Sequence, residues 1–171
     1  FSNTKIIYGF FTRKGGKSKK PFNSLNCSYS SSDERINVAK NIYTAKQKLC
    51  LEKSQTKFIG QIHGTKVALI DKNNLYKDIV ADGSITQTKD ISLAILTADC
   101  APIFLMDLNN NTIGAIHSGW KGCLNNIISK ASIKLRKICK NINNTVAIIG
   151  PCLNQDNFEV NEDLKRKFIR K

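Results

Sequence analysis

Six short apolar segments follow one another closely in the middle of the chain, and they constrain its fold more than any other feature. Most are rich in β-branched residues or bounded by turn residues, a pattern typical of short strands. The predicted strands are residues 57–62, 66–71, 79–86, 91–97, 103–107 and 112–117. The asparagines at 109–111 are strong turn residues, so the last two strands are predicted to form a β-hairpin.

Further helical and strand patterns flank this block. Apolar residues recur at helical spacing over residues 35–51, with Ser32 or Asp33 as the candidate cap, and again over about residues 122–140. Strands are predicted over residues 4–12 and, buried, over residues 145–150, whereas the glycine- and serine-rich residues 13–33 predict a long loop. This order predicts an α+β fold, with mixed β-sheets flanked by helices, rather than a regular βαβ repeat.

Length and composition narrow the class of protein. The 171 residues suit a single domain with its own core, and no apolar run is long enough to cross a bilayer. The chain starts without an initiator methionine or a recognisable signal peptide, so we expect a trimmed or incomplete chain. Its six scattered cysteines, without a secretion signal, favour reduced thiols in a cytoplasmic protein.

The charge is strongly basic, with 27 basic and 13 acidic residues and a net charge of +14. Such a charge raises nucleic acid as a partner. Lysine, asparagine and isoleucine are abundant throughout, however, and the densest lysine clusters lie in the loop at residues 14–20 and at residues 165–171. We therefore expect a solvated basic surface rather than a nucleic-acid site, and this surface favours anionic small molecules such as phosphate.

Two histidines and one cysteine are the clearest candidates for chemistry. His63 and His117, the two histidines of the chain, each end an Ile-Gly-x-Ile-His phrase, and Cys100 follows a predicted strand. Zinc in a catalytic site takes three such side chains and keeps one position open. If the strands are neighbours, these side chains converge at one end of a sheet and can bind a metal ion.

The same residues also allow a metal-free interpretation. Cys100 and His117 would form a nucleophile–base pair if Asp99 or Gln61 oriented the imidazole. The two roles compete, because a metal-bound thiolate is poorly nucleophilic. The spacing does not decide between them, although the matching context of His63 favours the metal.

Two glycine-containing segments are candidates for binding an anion. Arg13, followed by Gly15 and Gly16, comes directly after a predicted strand. A guanidinium and exposed backbone N–H groups suit phosphate there. Residues 117–122 lead into the second predicted helix, whose N-terminus also favours anions. Trp120 in that segment is predicted to pack in the core rather than to form a flat wall for a ring-shaped ligand.

Seven short motifs occur along the chain in the order of one known family. They are Thr12-Arg13-x-Gly15-Gly16, Ser24-Leu25-Asn26, Gln61-Ile62-His63-Gly64, Ala81-Asp82-Gly83, Thr97-Ala98-Asp99-Cys100-Ala101-Pro102, His117-Ser118-Gly119-Trp120-Lys121-Gly122 and Gly150-Pro151-Cys152. With these motifs the chain resembles the YfiH-like family, also called the multicopper polyphenol oxidase or laccase-domain family, whose members include purine nucleoside phosphorylases. The matches run from Thr12 to about Val160.

The resemblance implies a fold, a metal and a reaction. It implies αββα layers, grouped with Cys-His toxin deamidases, and zinc held by His63, Cys100 and His117. It also implies phosphorolysis of adenosine, inosine and methylthioadenosine to base and sugar 1-phosphate, with adenosine deamination as a side activity. Copper and phenol oxidation are the older family label. A multicopper oxidase needs ligands for several copper centres, however, and this chain has two histidines.

The resemblance also suggests roles for other residues and a set of partners. Cys100, His117 and Asp99 are the catalytic candidates, and Arg13 and Lys121 are expected to hold phosphate. The candidates for contacts with the substrate, or for contacts that support the ligands, are Asn26, Gln61, Asp82 and Asp99. The expected partners are a purine nucleoside and phosphate, without a membrane, for a monomer or homodimer.

The chain departs from the family in two places. Lys121 stands where the family has arginine, which keeps the charge but loses the bidentate fork. The chain ends at Lys171, whereas family members continue, so the single domain over residues 1–171 is expected to lack the family's C-terminal segment. Two alternatives to a zinc enzyme stay open. One is a metal-free Cys-His hydrolase or deamidase, and the other, which these two departures favour, is an inactive nucleoside-binding remnant.

Overall fold

The computed structural model describes residues 6–139 and 144–169. These residues fall into two compact units. The first comprises the described residues up to Thr56 together with Lys89–Ser92, and the second comprises Lys57–Thr88 and the described residues from Leu93 onward. The described residues form two β-sheets and four α-helices, which confirms the predicted α+β class.

Helix α1 (Arg35–Lys48) is the main element of the first unit. The loop before it, residues 13–33, contains neither helix nor strand, as predicted. Asn41 of α1 is fully buried and ties the loop to the helix. Its side chain accepts the N–H of Lys17 and donates to Ser18 Oγ and to the Asn26 carbonyl. Buried hydrogen bonds therefore order this loop.

The predicted boundaries in the first unit need correction. Residues 6–12 form no strand, because a β-prone segment needs a partner strand and none pairs with them among the described residues; residues 4 and 5 lie outside that part of the chain. Helix α1 stops at Lys48 rather than at residue 51, since Cys50 is left-handed with φ 55°. Its N-cap is Glu34 instead of Ser32 or Asp33, although Asp33 accepts the N–H of Glu34.

Two short strands, β1 (Gln55–Lys57) and β4 (Ile91–Leu93), form a two-stranded sheet. Both are shorter than the predicted strands over residues 57–62 and 91–97. After β1 the backbone bonds to residues 79 and 81 instead of continuing along β4. The buried Lys57 ammonium donates to the carbonyls of Asn74, Leu75 and Lys77. Beyond it, residues 60 and 80 pair in an isolated parallel bridge.

The second sheet forms the framework of the second unit. Its strand order is β2 (Val67–Leu69), β3 (Gly83–Thr86), β6 (Thr112–Ser118), β5 (Ala101–Asp107) and β7 (Thr145–Ile149). Strands β2 and β3 are parallel, and the other neighbours are antiparallel. The predicted hairpin is confirmed, with β5 and β6 in register from Ala101 opposite Ser118 to Asp107 opposite Thr112. The start of β5 and the end of β6 therefore meet at one end of the sheet.

The predicted helix over residues 122–140 is divided into α2 (Trp120–Leu124) and α3 (Ile127–Ile138). The division falls at Asn126, which adopts a left-handed conformation with φ 60°, and residue 140 lies outside the described residues. Helix α3 packs on the sheet and forms the main core. The buried core residues are Val67, Ile85, Ile103, Leu105, Ile116, Ile127, Ala131, Leu135 and Cys139.

The strand predicted as buried over residues 145–150 is instead the edge strand β7, because β5 pairs with one side of it only. Val146 and Ile149 are 42% and 67% exposed. A 3₁₀ turn (Gln155–Asn157) and helix α4 (Glu162–Ile169) follow, neither of which was predicted. Among the described residues, no helix has the length and apolar character needed to cross a membrane.

Candidate metal centre

Three predicted ligands converge in the second unit. One donor atom from each of His63, Cys100 and His117 lies within 4.8 Å of the others. The two imidazole rings are 4.8 Å apart between centroids and nearly perpendicular, at 77°. His117 is buried, Cys100 is half-buried and His63 is exposed. The group therefore has a closed side at His117 and a side open to solvent at His63.

The β5–β6 hairpin brings two of these ligands together. Cys100 directly precedes β5, and His117 lies near the end of β6, opposite Pro102. His63 comes from a different segment, after β1, and its backbone is left-handed with φ 59°. Such a conformation is uncommon for a residue with a side chain, and here hydrogen bonds to the neighbouring backbone hold it.

Asp82 provides those hydrogen bonds, directly before β3. Its fully buried carboxylate accepts four hydrogen bonds, from the backbone N–H groups of Ile62, His63 and Gly64 and from Nδ1 of His117. The bond to His117 is 2.9 Å long. One carboxylate therefore fixes the backbone of one histidine and the ring of the other. The Nδ1–H tautomer leaves Nε2 of His117 free to bind a metal.

The electrostatics of the centre depend on the same carboxylate. Burial opposes the ionisation of Asp82, but the hydrogen bonds from His117 and the three backbone N–H groups outweigh it and lower the pKa of the carboxyl. The pKa of the Cys100 thiol is raised, first by burial and then by the negative charges of Asp99 and Asp82. A bound cation would act on that thiol in the opposite direction.

The donor set fits zinc. With Zn–N distances of about 2.0–2.1 Å and a Zn–S distance of about 2.3 Å, donor atoms at a tetrahedral ion lie about 3.3–3.6 Å apart. The donor atoms lie within 4.8 Å of one another, so a bound ion would draw them closer together. Two imidazoles and a thiolate match the borderline-soft character of zinc. The hydrogen bond from His117 to Asp82 is the kind that ligating histidines make behind a metal.

Gly119 contributes space to the centre. A Cβ atom at this position would lie 2.8 Å from Cδ2 of His63 and 3.0 Å from Sγ of Cys100. Side-chain atoms do not approach so closely, so any larger residue here would push the ligands apart. This requirement was missed at the sequence level, although the Ser-Gly-Trp phrase that follows His117 was visible.

The other predicted site residues of this unit make contacts that differ from those predicted or lie at the surface. Asp99 is exposed, and the carboxylate that contacts His117 is Asp82 instead. Both polar atoms of the Gln61 amide are bonded to the backbone of Leu96. Lys121 is exposed, and its Nζ lies 5.4 Å from the ring centre of the half-buried Trp120.

Arg13 and Asn26 belong to the first unit. Arg13 is exposed, and its carbonyl accepts the N–H groups of Ser24 and Leu25. The Asn26 amide donates to Ser31 and Asp33, and its oxygen accepts the N–H of Ser28. Asn26 therefore organises its own loop, while the guanidinium of Arg13 stays at the surface. Their predicted contacts with substrate stay predictions.

Comparison with known proteins identifies the family. Residues 7–171 match the family model described as multi-copper polyphenol oxidoreductase laccase. The chain is 35% identical over 153 residues to a purine nucleoside phosphorylase of Rickettsia conorii, which covers 89% of this chain and 62% of that protein. This chain thus spans about three-fifths of the length of that curated relative.

Solved structures agree with this match. The crystal structure of YlmD from Geobacillus stearothermophilus superimposes with a TM-score of 0.81 at 25% identity, covering 91% of this chain and 61% of that one. The Bacillus licheniformis hypothetical protein YfiH gives a TM-score of 0.82 at 25% identity, with the same coverage. The chain therefore belongs to the multi-copper polyphenol oxidoreductase laccase family, to which its YfiH-like motifs pointed.

Proposed function

We propose that this chain carries the metal centre of a zinc-dependent purine nucleoside phosphorylase. The observation that carries the proposal is the convergence of His63, Cys100 and His117 within 4.8 Å, with Asp82 behind two of them. The name of the Rickettsia conorii relative supports the reaction. Adenosine, inosine and methylthioadenosine are the proposed nucleosides, and inorganic phosphate is the second substrate.

In the proposed reaction, one bond at C1′ of the sugar breaks and another forms in its place. The C1′–N9 bond breaks, its electron pair leaves with the purine, and a bond forms between C1′ and a phosphate oxygen. The purine takes up one proton, so the products are the free base and the sugar 1-phosphate. The proposed side activity adds water to adenosine and releases ammonia and inosine.

The residues of the centre have separate tasks in this proposal. His63, Cys100 and His117 would hold zinc, which supplies a Lewis acid beside the substrate when it is bound. Asp82 would hold the proton on Nδ1 of His117, so that the lone pair of Nε2 is available to the metal. The exposed His63 marks the side from which substrate enters, and the buried His117 closes the opposite side to water.

Phosphate binding is proposed from charge. Lys121 lies in α2, and its ammonium supplies a point charge instead of a guanidinium fork. The role of Arg13 in phosphate binding is proposed from the sequence motif alone. If either residue binds phosphate, its replacement by alanine raises the KM for phosphate more than the KM for the nucleoside.

Phenol oxidation by several copper ions is a poorer interpretation. That chemistry needs a chain of copper centres with many imidazole ligands. Among the described residues, one His-Cys-His group is close enough to bind a metal, and it uses both histidines of the chain. A single ion at this group suits substrate polarisation better than electron transfer between several ions.

The proposal is tested by incubation of the protein with adenosine and phosphate, before and after chelation, with chromatography of the products. We expect adenine and ribose 1-phosphate from the zinc protein, a little inosine, and loss of both after chelation. Inosine alone would instead identify a deaminase. Activity that survives chelation but disappears when Cys100 is alkylated would identify the metal-free hydrolase, and bound nucleoside without turnover would identify the binding remnant.

Ligand variants test the metal assignment separately. Cys100→Ala and His117→Ala should each lose zinc and activity together. Cys27→Ala is a matched control, because Cys27 is also half-buried and burial raises the pKa of its thiol as well. Zinc retained at full stoichiometry in Cys100→Ala, measured by elemental analysis, would refute the assignment.

A further inference from the structure

The side-chain amide of Gln61 makes an unusual paired contact. Its Nε2 donates to the carbonyl of Leu96 at 2.7 Å, and its Oε1 accepts the N–H of Leu96 at 2.8 Å. Gln61 lies two residues before His63, and Leu96 lies four residues before Cys100. A single amide therefore joins the segment that carries one ligand to the segment that carries another.

This contact stands where the backbone pairing of the two segments has ended. Strands β1 and β4 pair only over residues 55–57 and 91–93, and the bond from Ala94 N–H to the Lys57 carbonyl is the last along them. Gly60 then bonds to Ile79 and Ala81 instead. Within the described part of the chain, no backbone–backbone hydrogen bond joins residues 58–64 to residues 95–100. The side chain of Gln61 instead supplies the hydrogen bonds between the two segments there.

We propose that Gln61 is a positioning residue that sets the separation of His63 and Cys100. This inference rests on the proposed zinc centre. The other contacts connect these two ligands only by way of His117. Asp82 bonds to the N–H of His63 and to the ring of His117, and the residue after Cys100 pairs with Ser118, next to His117. Gln61 connects the two segments directly, close to the ligands.

Two variants separate the parts of this contact. Gln61→Glu removes the N–H donor and places a carboxylate oxygen against the Leu96 carbonyl, so the two oxygens repel each other. Gln61→Met keeps the length of the side chain and removes both hydrogen bonds. Loss of a residue that orients metal ligands lowers metal affinity by about 10–100-fold. Gln61 acts one step further from the metal than such a residue, so we expect about tenfold weaker zinc binding in both variants.

Thr56→Val is the matched control. Its hydroxyl bonds to Ser92 Oγ at 2.9 Å and so links β1 to β4. Thr56 and Ser92 are further in sequence from His63 and Cys100 than Gln61 and Leu96 are. This variant should lower the unfolding midpoint as the Gln61 variants do, but zinc affinity should be unchanged. The difference separates positioning of the ligands from general stability.

Beside the unfolding midpoint, the experiment has three readouts of the site in the wild type and the three variants. Zinc affinity is measured by competition with a chromophoric chelator, and the visible spectrum of the cobalt-substituted protein reports the ligand geometry. In the zinc-free protein, the alkylation rate of Cys100 is measured relative to exposed Cys123 by mass spectrometry. We expect both Gln61 variants to weaken zinc binding, alter the cobalt spectrum and change the Cys100 rate severalfold, and Thr56→Val to do none of these.

The outcomes separate this inference from the proposed function. Wild-type protein that binds zinc, with Gln61 variants unchanged in affinity, spectrum and Cys100 rate, would overturn the role of Gln61 and leave the zinc centre standing. Wild-type protein that binds no zinc, with a Cys100 rate that still changes in the Gln61 variants, would overturn the zinc centre and support the positioning role. Absence of both effects would overturn both.

Discussion

Two buried aspartates of the second unit, Asp82 and Asp107, are stabilised in the same way, because each carboxylate accepts several hydrogen bonds. Neither has any exposed surface, and the pKa of each carboxyl is lowered because its hydrogen bonds outweigh the cost of burial. Asp82 accepts from three backbone N–H groups and a histidine ring. Asp107, the last residue of β5, accepts from Asn110 and Thr145.

The difference lies in what the partners can do. The partners of Asp107 belong to the β5–β6 turn and to the edge strand β7, and none of them is a candidate ligand. The partners of Asp82 include the backbone of His63 and the ring of His117. A buried carboxylate therefore stabilises the fold in both places, but only at Asp82 does the same arrangement also select a tautomer. Substitutions at the two positions should separate these consequences.

We expect the strongest effect from Asp82→Asn, which should lose zinc affinity. An asparagine amide that donates to Nδ1 of His117 would move the ring proton to Nε2, where it blocks the metal-binding lone pair. We expect zinc affinity to fall by about 10–100-fold, measured by chelator competition.

Asp107→Asn is the matched control, because it makes the same chemical change at an equally buried carboxylate. Its zinc affinity should equal that of the wild type. Equal losses in the two variants would show that zinc binding responds to general destabilisation, and the distinction between the two aspartates would disappear.

A smaller effect, on stability alone, is expected for Asp107→Ala. Truncation removes the carboxylate that accepts the N–H groups of Asn110 and the hydroxyl of Thr145, all in partly buried surroundings. Leaving such groups unsatisfied costs about 1–3 kcal/mol. Urea denaturation should show a lower free energy of unfolding, while zinc affinity stays at the wild-type value. A loss of zinc binding in this variant would mean that the two ends of the hairpin are coupled.

Part of the candidate site could be predicted from the sequence. His63, Cys100 and His117 were predictable as a group, because few residue types bind zinc and the chain has two histidines, each at the end of the same phrase. The sequence predicts Asp82 as a contact with the substrate or as a support for the ligands, but it predicts Asp99 or Gln61 as the residue that orients His117, a position that Asp82 occupies. A carboxylate beside a predicted strand suits a substrate contact equally well, and only the pairing of β3 with β6 decides.

Some features of the fold could also be predicted from the sequence, and others could not. The β5–β6 hairpin followed from local turn chemistry, and the α+β class followed from the order of patterns. Local patterns do not reveal strand order, so the apolar residues of β7 predict a buried strand although they form an edge. Asn126 is a turn residue, but the apolar stripe on both sides of it concealed the end of α2. The single-domain organisation stays a prediction.

The weakest effect that we expect is a change in acid sensitivity, and it depends on the ionisation of Asp107. Because its pKa is lower in the folded state than the value of about 3.9 in an unfolded chain, its contribution to stability is complete above that value. The contribution is lost as pH falls through the lower, folded-state pKa. The free energy of unfolding of the wild type should therefore exceed that of Asp107→Asn by a constant amount above about pH 5, and the gap should narrow below about pH 4. Urea denaturation of the zinc-free proteins across this range measures the gap, and a gap that widened on acidification would mean that Asp107 is not ionised in the folded protein.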